Sequence, residues 1–284
     1  MIKKKESKVS TENAFLVGVI YGNLNFDKVN EHLEELELLA DTAGAKVVHT
    51  YTQKLNRINP SFFIGPGKAH QIIEHAKSLN VKLIIFDDEL SPAQIKNFSN
   101  LSKSVKVIDR STLILEIFSQ HAKTKEAKTQ VELAQLEYML PRLTRAWTHL
   151  ERQMGGIGAR AGAGETQIEV DRRLVRTRIS NLKKDLVRID VERETQRKKR
   201  KENYKVALAG YTNAGKSTIM KALSGSDVFI QNQLFATLDT TIRSVELDKT
   251  HKILLSDTVG FIRKLPHNLI ASFRSTLMEV IESN

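Results

Sequence analysis

The chain has 284 residues, 40% of them hydrophobic, and a formal net charge of +11. That apolar share supports packed cores and excludes a wholly disordered chain, and the length suits about two domains. Cysteine is absent, which excludes disulfides, zinc–thiolate centres and cysteine nucleophiles.

The basic start Met1-Ile2-Lys3-Lys4-Lys5 continues into Glu6, Ser7 and Lys8, not into the apolar core of a signal peptide. No apolar run approaches the ~18–20 residues that span a bilayer, so a cytoplasmic location is expected. The run 14–21 (AFLVGVIY) reads as a buried strand. Residues 26–42 read as a helix, because Val29, Leu33, Leu36 and Leu39 recur at spacings of three and four. Strands are expected at 45–51, 81–86 and 105–108, and helices at 69–79 and 111–121. Ser91 has the character of an N-cap, with Pro92 at the first helical position. Strands alternating with helices predict a small N-terminal α/β domain, residues 1–124, with a mainly parallel sheet.

Residues 125–202 differ in kind. Leu133, Leu136, Leu140, Leu143, Trp147 and Leu150 form one stripe at spacings of three and four, and Val175, Ile179, Leu182, Leu186 and Ile189 form another. Two such stripes predict an antiparallel helical hairpin, with Pro141 kinking or splitting the first helix. Between them, residues 152–167 (RQMGGIGARAGAGETQ) hold five of the chain's 14 glycines. Arg152 and Arg160 in this glycine-rich stretch are candidate RNA phosphate contacts. The segment carries 19 basic against 12 acidic side chains, whereas 1–124 carries 16 against 14 and 203–284 carries 9 against 7. A polyanionic partner, nucleic acid first, should touch the middle segment; the alternative is a solvated helical surface.

The third segment, 203–284, opens on a strand, 204–209 (YKVALA), followed by Gly210-Tyr211-Thr212-Asn213-Ala214-Gly215-Lys216-Ser217. This is G-x-x-x-x-G-K-[ST] with a strand before it and a helix, about 216–223, after it. Phosphates need several backbone N–H groups aimed at one centre, which the glycines and the helix N-terminus supply. Lys216 is placed to reach the terminal phosphates, and the Ser217 hydroxyl to bind Mg²⁺. A strand at 253–256 runs into Asp257-Thr258-Val259-Gly260, a D-x-x-G: Asp257 can hold Mg²⁺ through water, and the Gly260 N–H can meet a γ-phosphate. Between the two motifs lies Phe235-Ala236-Thr237-Leu238-Asp239-Thr240-Thr241. One threonine there can complete the Mg²⁺ shell in a triphosphate-ordered switch, and spacing alone leaves Thr237, Thr240 and Thr241 open. Phe261 stands where a Ras-type enzyme carries a water-orienting Gln, so slow intrinsic hydrolysis is expected unless a partner or a potassium ion, with Asn213 as its candidate ligand, supplies the function. No guanine-reading N-K-x-D is present, and the chain ends within an expected helix at 268–282. The third segment is therefore expected to be a truncated P-loop domain.

With these motifs the chain resembles the HflX family of ribosome-associated GTPases. The resemblance is carried by 122–142 (AKTKEAKTQVELAQLEYMLPR), 155–173 (GGIGARAGAGETQIEVDRR), GYTNAGKS at 210–217, LFATLD at 234–239 and DTVGFIRKLPH at 257–267. Ala163 and Thr240 stand where the family usually has proline. The resemblance implies guanine as the base and Thr237 as the switch threonine, with Mg²⁺ on Ser217 and Thr237. It implies Gly210–Ser217, Phe235–Asp239 and Asp257–Gly260 as the GTP site, with Lys216, Asp257 and Gly260 catalytic. It also implies a monomeric cytoplasmic protein, at most peripheral at a membrane, that engages the large ribosomal subunit and its RNA and splits stalled or stress-damaged ribosomes. The competing expectation is a non-catalytic ribosome- or RNA-binding fragment; a separate nucleotide site at Gly65-Pro66-Gly67-Lys68 is a third.

Overall fold

The computed structural model describes residues 12–143, 167–198, 204–225, 234–235, 237–239, 241–246, 252–265, 280–281 and 283. Arg152, Arg160, Ala236, Thr240, Trp147, Leu150, the glycine-rich stretch and most of the expected helix at 268–282 lie outside them. The chain divides into two compact units, Met1–Ile117 and Phe118–Asn284.

The first unit is built from β1 (Glu12–Ile20), α1 (Phe26–Thr42), β2 (Ala45–Lys54), α2 (Pro66–Ser78), β3 (Leu83–Phe86), α3 (Pro92–Leu101) and β4 (Lys106–Asp109), with α4 (Arg110–His121) crossing the division. The strands form one sheet in the order β2-β1-β3-β4, every pair parallel. Central strands covered on both faces need unbroken apolar runs, and Ala14–Val19 and Leu83–Phe86 are such runs, all buried. Helix α1 turns Val29, Leu33, Leu36 and Leu39 to the sheet, and Gly18 lets it approach: a Cβ there would lie 2.8 Å from Leu33 Cδ1. The expected Ser91 cap is present as a full capping box, in which Ser91 Oγ accepts from the Gln94 N–H and the Gln94 side chain accepts from the Ser91 N–H. Ser91→Ala is expected to lower the stability of this unit by about 1 kcal/mol, read as a lower denaturation midpoint.

A charged cluster that no local sequence pattern signals lies at the sheet's C-terminal edge. Arg110, 1% exposed, donates to Asp87 Oδ1 at 2.8 Å and to Glu35. Asp109 accepts from the Leu90 and Thr112 N–H groups. Asp87 opens the acidic run Asp87-Asp88-Glu89, but Arg110 lies 23 residues further on and only the parallel topology brings it close.

The second unit contains α5 (Lys125–Met139), a 3₁₀ turn at Leu140–Arg142, and α6 (Gln167–Lys198). Pro141 lies in that turn and α5 ends before it, because an interior proline removes a donor and clashes with the preceding turn. Leu133, Leu136 and Leu143 pack on Val175, Ile179 and Leu182. Around this seam Glu126 pairs with Arg193, Glu137 with Lys183 and Glu132 with Arg178.

The remainder of the unit is a second sheet, β5 (Tyr204–Leu208), β6 (Thr241–Glu246) and β7 (Lys252–Asp257), in the order β5-β7-β6, with α7 (Lys216–Ser224) over it. β5 and β7 are parallel, and β6 runs antiparallel to β7. β6 is absent from the sequence reading: TIRSVE has only Ile242 and Val245 as apolar residues, too weak a pattern beside the switch motif. Met220 from α7 is fully buried against Val245 and Leu255. Among the described residues no helix is long and apolar enough to cross a membrane.

Candidate nucleotide site

Strand β5 ends where the glycine-rich loop begins. Asn213 and Gly215 adopt left-handed backbone, with φ of 60° and 84°. Asparagine is among the few non-glycine residues that tolerate this region. The turn delivers Gly215 to the start of α7, so the first free N–H groups of that helix border the loop. Lys216 folds back across it, its amine donating to the Gly210 and Tyr211 carbonyls at 3.0 and 2.6 Å. Burial pushes the Lys216 amine below its ordinary pKa, and the nearby Asp257 carboxylate opposes that shift.

The D-x-x-G stretch is stitched to this loop. Phe261 N–H donates to Gly210 O at 3.0 Å, and Thr212 N–H donates to Phe261 O at 2.8 Å. Thr258 Oγ1 donates to Leu208 O at 2.7 Å, tying the ends of β5 and β7. Gly260 has no room for a side chain, since a Cβ would lie 2.6 Å from Thr212 Cα. Phe261 itself is half exposed and presents no polar group that could orient water.

Three oxygens converge from three separate segments. Ser217 Oγ lies 2.9 Å from Thr237 Oγ1 and donates to Asp257 Oδ2 at 2.6 Å, while Thr237 Oγ1 donates to the same oxygen at 3.1 Å. Asp257 is 1% exposed, and its other oxygen, Oδ1, is buried without a hydrogen-bond partner among the described residues. A buried, unsatisfied carboxylate oxygen is costly unless a cation or water meets it. Hydroxyl and carboxylate oxygens are the donors that a hard cation such as Mg²⁺ takes, so these residues fit that ion. Of the three candidate threonines, Thr237 reaches Ser217 and Asp257. Thr241 opens β6.

The candidate switch stretch has a second attachment. Leu234, Phe235 and Leu238 are buried. Phe235 has φ of 56° and meets Phe118 edge-on, with ring centroids 4.5 Å apart. The Asp239 carboxylate accepts from the Lys123 N–H at 3.1 Å, the Thr124 N–H at 3.2 Å and the Thr124 hydroxyl. Nothing local signals this pairing, because the partners are 115 and 116 residues apart.

His121 hydrogen-bonds the Phe235 backbone; burial lowers its pKa below the ordinary 6.5, that hydrogen bond raises it, and Lys123 adds to the lowering. A histidine held neutral in the folded state contributes stability that is complete above the unfolded pKa and is lost as pH falls through that value towards the folded one. The thermal midpoint is therefore expected to fall as pH drops below about 6.5, with a shallower slope in His121→Gln. Equal slopes would remove His121 from the account.

The remaining glycine motif, Gly65-Pro66-Gly67-Lys68, opens α2, and Lys68 lies over the Tyr51 ring at 5.0 Å.

Three family models match the chain. They are a GTP-binding GTPase N-terminal region over residues 30–119, a GTP-binding GTPase middle region over 121–200, and a 50S ribosome-binding GTPase over 205–282. The GTPase HflX of Flavobacterium psychrophilum is 52% identical over 280 residues, covering 99% of this chain and 67% of that protein. The GTPase HflX of Escherichia coli is 46% identical over 270 residues, covering 94% of this chain and 62% of that protein. This chain thus spans about two thirds of the length of these relatives. Among solved structures, the SsGBP–GDP complex matches with a TM-score of 0.56 at 29% identity, over 95% of this chain and 68% of that one. A GTP-binding protein from Sulfolobus solfataricus, also with GDP, matches with a TM-score of 0.52 at 26% identity, over 96% and 68%. The chain belongs to the HflX family of GTPases.

Proposed function

We propose that this chain is the nucleotide-binding and ribosome-docking portion of an HflX-type GTPase that splits or rescues stalled ribosomes. The observation that supports it most is the convergence of Ser217, Thr237 and Asp257 beside the Lys216 loop. Gly210–Ser217 bind the phosphates, Lys216 and the Gly260 N–H serve the terminal one, and Phe235–Asp239 with Asp257–Gly260 complete the GTP site. Ser217 and Thr237 would hold Mg²⁺, with Asp257 hydrogen-bonded to both hydroxyls. When bound, the ion neutralises charge on the phosphates. With Phe261 after the D-x-x-G, the side chain at that position cannot orient water by hydrogen bonding, so turnover is slow unless another group, a potassium ion or a partner supplies the missing function.

The division into 1–124, 125–202 and 203–284 gives each part a role: an α/β domain, a basic helical hairpin for RNA, and the P-loop domain. The location that fits is the cytoplasm, peripheral at most to a membrane, as a monomer bound to large subunits under translational stress. Arg152 and Arg160 are assigned to ribosomal RNA. Replacing both with alanine is expected to weaken large-subunit binding and to flatten its dependence on log salt by about 1.4–1.8, at roughly 0.7–0.9 per phosphate contact. An unchanged salt slope removes them from the interface.

A further inference from the structure

We infer that Asp239 is a positioning residue for the switch threonine, and that it acts by capping the helix that opens the α5–α6 pair. The inference rests on the functional reading above and assigns Asp239 a role outside the phosphate contacts. Thr237, whose hydroxyl meets Ser217 and Asp257, sits between two anchors. Two residues before it, Phe235 is 2% exposed and packs on Phe118. Two residues after it, Asp239 accepts two backbone N–H groups and one hydroxyl at the start of α5. Both anchors stand on one corner of the chain, residues 118–124. Two residues span at most about 7 Å, so a shift of that corner reaches Thr237 with little slack.

The chemistry of the corner favours a carboxylate. A helix N-terminus leaves N–H groups without intrahelical partners and carries partial positive charge. Thr124 caps α5 by accepting from the Ala127 N–H at 3.1 Å, and its own proton goes to Asp239. The hydroxyl therefore relays the hold from the helix to the switch stretch. The same first turn is tied to α6 through Glu126, which is 7% exposed and bonded to Arg193 at 2.6 Å. Ordering Thr237 and fixing the start of α5 are then one event. By linkage, whatever braces the helical pair raises affinity for the Mg²⁺–triphosphate, and triphosphate braces the helical pair in return.

The test uses the full chain with a fluorescent non-hydrolysable GTP analogue and a Mg²⁺ titration. Asp239→Ala and Thr124→Val are each expected to raise the Mg²⁺ midpoint by about fivefold or more, the lower end of ordinary coupling energies. The double variant should go no further than the stronger single one, because both remove the shared Asp239–Thr124 contact. Asp239→Asn keeps an acceptor oxygen and should recover much of the loss. Amide exchange at Lys123 and Thr124 should quicken in Asp239→Ala and slow on adding triphosphate to the wild type. Multiplying effects in the double variant, or a lowered melting point with an unmoved Mg²⁺ midpoint, would overturn the inference and leave the functional reading intact. A wild-type chain that binds no triphosphate would overturn both.

Discussion

Replacing Lys216 with alanine is expected to weaken triphosphate binding by roughly 30- to 700-fold while the N-terminal unit stays folded. The amine lies across the loop on the Gly210 and Tyr211 carbonyls, within hydrogen-bond distance of both. Charge-assisted hydrogen bonds contribute about 1.5–3 kcal/mol each and are the stronger kind. Losing one or two at a partly buried site costs about 2–4 kcal/mol, or that range of affinity at tenfold per 1.4 kcal/mol. Burial lowers the lysine's own pKa, so an arriving anion relieves a charge already held at some cost. Titration with a fluorescent GTP analogue measures the change, and unaltered affinity would refute the site assignment.

Gly260→Ala is expected to be the most damaging small substitution near the site. A methyl group there would lie 2.6 Å from Thr212 Cα and 2.7 Å from Thr212 N. Both are backbone atoms, so no rotamer change relieves the contact. Overpacking of this kind costs about 1–3 kcal/mol. Here the strand-like bridge between Thr212, Gly210 and Phe261 must open. A melting point lower by several degrees and turnover reduced by on the order of tenfold or more are expected. Gly67→Ala is the control, since a Cβ there meets nothing within 4 Å; its stability should change by less than about 1 kcal/mol. Equal behaviour of the two variants would contradict this account of the loop.

Much of the fold could be read from periodicity. The strands 12–20, 45–54, 83–86 and 106–109 lie within a few residues of the expected runs. Capping at Ser91 followed from Ser-Pro, and the stop at Pro141 from its missing donor. The P-loop was legible because phosphate chemistry dictates residue types at fixed spacing. The choice among the candidate threonines was less so: three hydroxyls crowd 237–241, and only tertiary packing brings Thr237 to Ser217 and Asp257. Asp239 and Arg110 were not legible in their observed contacts. Their partners are remote in sequence, and a charged residue in a loop or at a strand end has no local pattern to distinguish it from a solvated one. The strand 241–246 was hidden for a related reason, since an edge strand with few apolar residues follows directly on a loop motif.

We propose that these residues form a nucleotide switch that answers to the large ribosomal subunit. Fluorescent-nucleotide binding to the 284-residue chain, with GTP and ATP analogues and with or without large subunits, tests it most directly. Mg²⁺-dependent binding of the triphosphate analogues that tightens in the presence of large subunits is expected. Binding that ignores Mg²⁺, or no response to subunits that do bind the chain, would contradict this reading.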